Sequence, residues 1–521
     1  MTRDRITQAF IDAHGHECSY ISVKLWQKAY YLLVVVGILC ATAYRWDITL
    51  CIIGGLLAVM YFAIIGFRAV VTTLSLLGFG QISVKEREIA MMDHDELPII
   101  TILVPLYKEA NIAGKLIANL DRLDYPPEKL DVKVLLEADD LETQAAVSKM
   151  TLSDSYDIIV VPDALPKTKP RACNWGLERA KGEFCVIYDA EDRPDRDQLM
   201  KVVYAFRRAA DKVVCLQAKL NYYNSRQNIL TRLFTIEYTT TFDLYLPGLQ
   251  CLGVPVPLGG TSNHFRTEIL RELGGWDPFN VTEDCDLGVR IYKHGYRTRM
   301  IDSTTWEEAN SEVWNWIRQR SRWVKGFFQT HLTHMRNPLK TLWQLNPWGF
   351  LGFLMCVGGS SLMMILNVVY WVVGGSYLFL VGRALADNYT LREVLWGPRE
   401  QLAENVVWPM VYEGPLQDPL WSGMSEVFFY VAIVLLACNL LFVLMHALAC
   451  IKRGFWRLIP WCLLMPFYWV LISIGAWKGF IQLLHNPFYW EKTNHGLDDG
   501  DDQAGLENEI PEVQITRESQ A

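Results

Sequence analysis

A chain of 521 residues exceeds one ordinary domain, so two or more units are expected. Its 51% hydrophobic content and 19 Trp are high for a soluble enzyme, and a net charge of −8 argues against nucleic acid as the main partner. The 12 Cys are scattered without a Cys-x-x-Cys pair, which points away from a zinc knuckle or disulfide scaffold and towards buried free thiols.

The N-terminus lacks the pattern of a cleavable signal, because its first apolar run begins only near Ala29, after a mixed-charge amphipathic stretch. Ala29–Tyr44 is uncharged but a little short for a span. Ile48–Phe67, Thr341–Gly382, Val427–Ile451 and Leu458–Trp477 are longer and also uncharged. A span needs about 20 apolar residues, so these runs are predicted to cross a membrane. Buried core helices are the alternative, and the Trp and Tyr at the ends of the runs speak for the membrane. Two spans before residue 85 return the chain to the side of its N-terminus. The linker Lys452-Arg453-Gly454-Phe455-Trp456-Arg457 is basic and reads as cytoplasmic, whereas loop 383–425 is acid-rich and reads as outside. That arrangement needs an odd number of crossings within 341–382, an interfacial piece plus one span, although two short spans also fit the length. Pro460 and Pro466 leave open whether the last run crosses or only dips in. From Asp498 the tail has seven acidic residues before its first basic one and is predicted to be disordered and solvated.

Between the apolar runs lies a hydrophilic block, residues 85–340. Strands are predicted at Ile100–Leu106, Val132–Glu137, Ile158–Val161, Phe184–Tyr188 and Val213–Gln217, with helices near 110–122, 141–150, 171–181 and 196–210. The alternation implies an α/β fold with a mostly parallel sheet and helices on both faces. Ligands bind such sheets at the carboxyl ends of the strands, where the polar motifs of the first half fall.

Pro105-Leu106-Tyr107-Lys108-Glu109 ends the first strand. Tyr107 is placed to stack on a base and Glu109 to bind a ribose, though in isolation the stretch is ordinary strand-to-helix punctuation. Glu137, Asp139 and Asp140 end the second strand, where a carboxylate accepts the imide hydrogen of a uracil; an exposed acidic turn explains them as well. Pro166-Lys167-Thr168-Lys169-Pro170 brings basic residues to a helix start, which suits phosphate or makes a plain loop. Asp189 and Glu191 follow the apolar strand 184–188. Alternate residues leaving a strand end face one ligand, so the pair suits Mg²⁺ or Mn²⁺ bridging a diphosphate. A solvated acidic turn is the competing account, and Asp192 is a rival ligand. Thr282-Glu283-Asp284 reads alone as a helix N-cap with acids in its first turn. Both readings hold if the helix start presents Asp284 to a cleft as a proton acceptor. Gln319, Arg322 and Trp323 share one helical face. Arg322 there suits phosphate oxygens and Trp323 a sugar ring. The surrounding stretch 314–332 also reads as a basic interfacial helix lying on anionic lipid.

Taken together and in this order, the motifs resemble the processive family 2 glycosyltransferases, the bacterial cellulose, hyaluronan and related exopolysaccharide synthases. The resemblance covers about residues 98–335. It implies a GT-A fold between transmembrane helices and inverting, Mg²⁺- or Mn²⁺-dependent transfer of a hexose from a UDP-sugar to a growing polysaccharide. Asp284 would be the base, and Asp189 and Glu191 the metal ligands. Pro105, Tyr107, Glu109, Glu137, Asp139, Lys169, Gln319 and Arg322 would bind the donor, and Glu283 and Trp323 the acceptor. Trp490-Glu491-Lys492-Thr493 is loosely similar to a gating segment, with Trp490, Lys492 and Thr493 as its residues. Two departures stand out: Glu191 replaces the second Asp of the metal motif, and the acids after the second strand are spread out. Nucleotide sugars are cytosolic, so the resemblance places the catalytic block on the cytosolic side of a bacterial inner membrane. Membrane lipid and accessory export or regulatory subunits are the implied partners, and nucleic acid is not. The expected division is 1–84, an N-terminal segment with two spans; 85–310, the GT-A domain; 311–347, interfacial helices; 348–482, the C-terminal membrane region; and 483–521, the gating-like segment and acidic tail. A non-processive enzyme adding one sugar to a lipid is the nearest rival. A transporter with a cytosolic regulatory domain is another, but it predicts more polar residues inside the spans than the sparse His446 and Asn439.

Overall fold

The computed structural model describes residues 3–21, 23–78, 80–396 and 419–493. Among these, nine strands form one mixed sheet: β1 (Gln81–Ile82), β2 (Ile100–Leu106), β3 (Leu130–Glu137), β4 (Tyr156–Val161), β5 (Phe184–Ile187), β6 (Arg193–Pro194), β7 (Val213–Tyr222), β8 (Asn263–Arg266) and β9 (Arg297–Glu307). Their order is β1-β9-β7-β8-β5-β2-β3-β4, with β6 paired to β9. β4, β3, β2 and β5 run parallel to one another, and β8 is antiparallel to both β5 and β7. The near-continuous apolar runs of β2, β3 and β5 follow from burial on both faces. Successive side chains point to opposite sides, so Ile100, Ile102 and Val104 enter one apolar layer while Leu103, Leu135 and Ile187 enter the other.

The five strands read from the sequence are present. β3 and β4 begin two residues earlier than expected, and β7 runs on to Tyr222. The helices between them form at Ala113–Leu120, Leu141–Ser148, Lys169–Glu178 and Gln198–Arg208. β8 and β9 were not foreseen. Asn-His-Phe-Arg is too short and polar to read as a strand, and β9 carries Arg and Thr where a period of two would need apolar residues. Each is held instead by strands on both sides.

Among the described residues, four helices are long and apolar enough to cross a membrane by length and composition. Leu25–Leu76 holds both N-terminal runs and breaks at Arg45 (φ −146°, ψ 80°), where Arg45 pairs with Asp47 at 2.6 Å. The stretch 338–386 is divided at Asn346 (φ 56°, ψ 165°). Pro347 has no N–H to give the ladder, and Asn346 Oδ1 accepts from the Trp348 and Gly349 amides at 3.0 Å each, restarting the helix. One helix then continues through a π-helical turn at Leu354–Gly359 to Ala386. Lys452 and Arg453, at the end of the Pro419–Arg453 helix, bond Asp243 of the catalytic block, so that basic linker lies against it. The middle of loop 383–425 and the acidic tail fall outside the described residues.

The Val313–His334 helix joins sheet to membrane. It packs on Met465–His485 at a distance set by glycine: a Cβ on Gly479 would lie 2.3 Å from the Ser321 carbonyl oxygen, and one on Gly475 would lie 2.8 Å from the Arg320 Cβ.

Candidate active site

The carboxyl ends of β2, β3 and β5 open onto one cavity of about 960 Å³. It is lined on this side by Pro105, Tyr107, Glu109, Glu137, Lys169, Asp189 and Glu191. Asp189 leaves β5 part-exposed and holds the Lys169 ammonium, Nζ to Oδ1 2.5 Å. Lys169 also donates to the Gly260 carbonyl at 2.8 Å. Burial works against the Lys169 charge, but Asp189 and Glu283 outweigh it and raise the pKa. Asp192 is no rival to Asp189 and Glu191. Its side chain is fully buried, accepting from the Asp189 amide at 2.7 Å and from the Thr261 hydroxyl. Burial, then the neighbouring Asp189, pushes its pKa far up, and its side chain serves to staple the turn.

The three acids after β3 separate in role. Asp140 caps the following helix, accepting from Thr143 N at 3.2 Å and from the Lys108 amide. Glu137 faces the cavity, but Arg171 occupies its carboxylate at 2.6 Å, and Asp4 holds the same guanidinium at 2.9 Å. Burial still outweighs Arg171 and pushes Glu137 up to about 7. Asp139 lies off the cavity wall, drawn to Lys167 at 2.5 Å, which Asp163 shares. The structure therefore does not bring Asp139 to the donor side of the cavity.

The opposite wall carries the second group of motifs. The Glu283–Lys293 helix starts at Glu283, and the Thr282 side chain makes no capping bond. Instead the Thr282 amide donates to Asn280 Oδ1 at 3.0 Å. Asn280 and Gln329 fix this turn to the Val313–His334 helix, through Thr330 at 2.9 Å and Val281 N at 3.1 Å. Contact there is close enough that a Cβ on Gly326 would lie 2.2 Å from Thr282 Oγ1. Glu283 and Asp284 both line the cavity. Burial first, and the adjacent Asp284 next, pushes Glu283 up to about 8. Burial pushes Asp284 up to about 6, against the Cys285 amide, which donates to Oδ1 at 2.7 Å.

Gln319, Arg322 and Trp323 reach the same cavity, as their shared helical face requires. Gln319 is oriented by Asn310 at 2.9 Å. Trp323 packs beside Phe234 and Tyr238, with the Arg320 guanidinium 4.5 Å from its ring centroid. Arg320 in turn is paired with Glu237. The segment 488–493 lies along the mouth of the cavity. Trp490 covers the Arg322 guanidinium at 4.6 Å, and Lys492 bonds the carbonyls of Tyr107 and Lys108. Glu491 anchors the segment to Lys478 at 2.6 Å.

Residues absent from every motif complete the site. Glu307 at the end of β9 lines the cavity, and its pKa is pushed well up by burial and by Asp192, Glu191 and Asp189. Glu237, Tyr238, Gly259 and Gly260 line it too. They come from stretches whose local pattern is plain helix or loop, so only tertiary folding reveals them.

No cluster of three or more His, Cys, Asp or Glu set for a metal is present among the described residues. Two cavity carboxylates are nonetheless the usual protein share for Mg²⁺, which takes its other ligands from phosphate and water. Asp189 and Glu191 share the cavity with Glu283, Asp284 and Glu307, whose pKa values are raised first of all by burial. The residues present thus fit a divalent cation at Asp189 and Glu191.

Residues 184–386 match the family model described as glycosyl transferase family group 2. The chain is 29% identical over 238 residues to the probable glycosyltransferase YdaM of Bacillus subtilis, covering 44% of this chain and 56% of that protein. It is 25% identical over 291 residues to β-monoglucosyldiacylglycerol synthase of Trichormus variabilis, covering 54% of this chain and 61% of that protein. To glucomannan 4-β-mannosyltransferase 7 of Arabidopsis thaliana it is 24% identical over 332 residues, covering 61% and 58%. The chain therefore spans under two thirds of the length of these relatives. A mannosyltransferase from Pyrobaculum calidifontis, solved with GDP-Man and Mn²⁺, overlaps only loosely, at 20% identity and a TM-score of 0.41 over 72% of this chain and 98% of that one. By the family match, residues 184–386 carry a glycosyl transferase family group 2 domain, and the relatives agree with a sugar-transferring enzyme.

Proposed function

We propose that the protein is an inverting hexosyltransferase of the membrane. It takes a UDP-sugar at the β2–β3–β5 end of the cavity and an acceptor at the Trp323 end. The observation that carries this reading is the cavity holding Asp189, Glu191, Asp284, Arg322 and Trp323 together, from stretches spread over more than 130 residues of sequence. Asp284, pushed up to about 6, is a carboxylate at neutral pH yet basic enough to take a proton. It removes the proton of an acceptor hydroxyl as that oxygen bonds to the anomeric carbon. The bond from that carbon to the diphosphate breaks, and its electron pair leaves on the UDP oxygen. Arg322 and Lys169 meet the growing negative charge. A divalent cation held by Asp189 and Glu191 would neutralise part of the diphosphate when bound. Glu283, pushed up to about 8, is protonated at pH 7 and donates a hydrogen bond to the acceptor.

The acceptor we assign is a growing polysaccharide, with Trp323 under its terminal sugar and the product leaving between the protein's own helices. The catalytic block faces the cytosol of a bacterial cell, where the donor is made. The extent of the cavity supports this: beyond Trp323 it continues among membrane-directed helices past Met364, Phe442 and Trp469. A second reading, one sugar added to a lipid, is favoured by the same opening and by the 25% identical relative named as a glucosyldiacylglycerol synthase. Product length decides. Purified protein given a panel of UDP-sugars with Mg²⁺ or Mn²⁺ should make a polymer, and Trp323→Ala should lose the polymer while binding UDP normally. A wild-type product of one sugar on a lipid would reject the synthase reading and leave the transferase.

A further inference from the structure

The membrane end of the cavity contains a cation that the transfer chemistry does not use. Arg68 lies one residue beyond the uncharged run 48–67, in the same Leu25–Leu76 helix. Its neighbours are neutral. Nη2 donates to Ser360 Oγ at 3.1 Å, and the guanidinium lies 4.8 Å from the Tyr245 ring and 5.5 Å from the Phe442 ring. Nε is buried without an acceptor. Two carboxylates on the adjoining segment are already taken: Asp243 by Lys219 and Arg453 at 2.9 and 2.7 Å, and Glu237 by Arg320.

His446 stands on the other side of Phe442, with ring centroids 4.7 Å apart, and lines the same cavity. Its Nδ1 is 2.6 Å from Thr240 Oγ1. That hydroxyl spends its proton on the Ile236 carbonyl at 2.9 Å, so Nδ1 is the donor and Nε2 is left as an acceptor. Nε2 is buried and has no partner. Arg68 and His446 thus line one cavity, each keeping one buried nitrogen without a partner, with Met363, Met364, Phe442 and Asn439 among the uncharged side chains around them. Leaving such groups unpaired is unfavourable unless a ligand meets them.

We infer that Arg68 and His446 form a subsite for the head group of a membrane-borne amphiphile that carries a phosphate and, beside it, a hydroxyl. The phosphate takes the Arg68 fork, the hydroxyl donates to His446 Nε2, and the acyl chains leave between the helices. Basic pockets between membrane helices suit such head groups. The inference rests on the second reading above, a lipid acceptor entering by this opening, and it adds that this lipid is anionic.

The test uses the full chain in a neutral maltoside detergent, with titration calorimetry and three probes. Dihexanoyl phosphatidylglycerol has head and tail, dihexanoylglycerol lacks the phosphate, and glycerol phosphate lacks the tail. The first should bind, and Arg68→Gln should weaken it by roughly tenfold or more, the ratio that about 1.4 kcal/mol represents. Arg68→Lys should fall between, and His446→Leu should weaken it severalfold. UDP binding should stay unchanged in all of them, which shows that each is folded. If Arg68→Gln does not fold, Arg68→Lys and His446→Leu decide by themselves. Equal binding of phosphatidylglycerol and dihexanoylglycerol, or lipid binding unchanged in the folded variants, overturns the subsite. Glycerol phosphate binding as tightly as the lipid overturns the membrane-borne ligand. Failure of the wild type to bind UDP would instead strike the transferase reading.

Discussion

The two ends of the cavity are built differently. The proposed nucleotide end stands on the chain just after β2, β3 and β5 and on the start of the Lys169–Glu178 helix, and its charges pair at short range: Lys169 with Asp189 and Arg171 with Glu137. The proposed acceptor end is assembled instead from helices far apart in sequence. Buried polar atoms without a partner occur at both ends, Arg171 Nε and Asp192 Oδ1 at the first and Arg68 Nε and His446 Nε2 at the second. What differs is the origin of the groups: local chain after strands and a helix start at one end, long-range packing of helices at the other.

The contrast is broken most severely at the metal motif. EDTA should abolish transfer, with Mg²⁺ or Mn²⁺ restoring it, while Asp189→Ala should be inactive at any metal concentration. Full turnover in EDTA removes the cation from the nucleotide end. Next in size is Asp284→Asn, expected to lower turnover by about 10²–10⁴-fold with UDP affinity intact. A variant that keeps most of its rate makes Asp284 a helix-start residue only. The same residue sets a pH limb. A general base must be deprotonated, so with Asp284 pushed up to about 6 the rate should fall about tenfold per unit below that pH and hold from there to about 8, where Glu283 gives up its proton. An acid limb that persists unchanged in the residual activity of Asp284→Asn assigns it to another group.

On the acceptor side, Arg320→Met leaves Glu237 unpaired beneath Trp323, where the two side chains are 6% and 19% exposed. Stability should fall by about 3 kcal/mol, read from thermal unfolding in detergent, and adding Glu237→Met should recover part of it. No recovery in the double variant would mean that the pair is not what Arg320 supports. The smallest effect is expected at the mouth. Lys492→Ala removes bonds to the Tyr107 and Lys108 carbonyls and should raise the KM for the UDP-sugar a few-fold, with kcat little changed. A fall in kcat alone would place the segment in a later step, such as product release.

Much of the nucleotide end was legible in the sequence, because a parallel strand is a continuous apolar run and its polar continuation marks the ligand side. β2 was read to the residue, and Asp189, Glu191, Asp284 and Arg322 were singled out by type and spacing. Competition among neighbouring carboxylates was not legible. Asp192 differs from Glu191 only by being folded inward, and Asp139 from Glu137 only by the pull of Lys167. Glu307 was invisible because β9 shows no apolar alternation. Arg68 was passed over because the uncharged run stops at Phe67 while the helix continues to Leu76. Hydropathy draws the span and ignores the residue at its border.

The glycine seam between the Val313–His334 and Met465–His485 helices has a mechanical consequence. Gly475 and Gly479 bring the two backbones into contact, and Phe328 against Phe480 and Lys325 with Gln482 hold the same seam. The helix that carries Arg322 is thereby tied to a candidate span, and a change in that span's tilt would be transmitted to the guanidinium. Bilayers whose thickness departs from the length of the span tilt it at a penalty of fractions of a kcal/mol per Å. Turnover of the reconstituted protein should therefore pass through a maximum as acyl-chain length is varied. The enzyme would then act as a gauge of membrane thickness, with widening the seam by Gly479→Ala as the way to uncouple it.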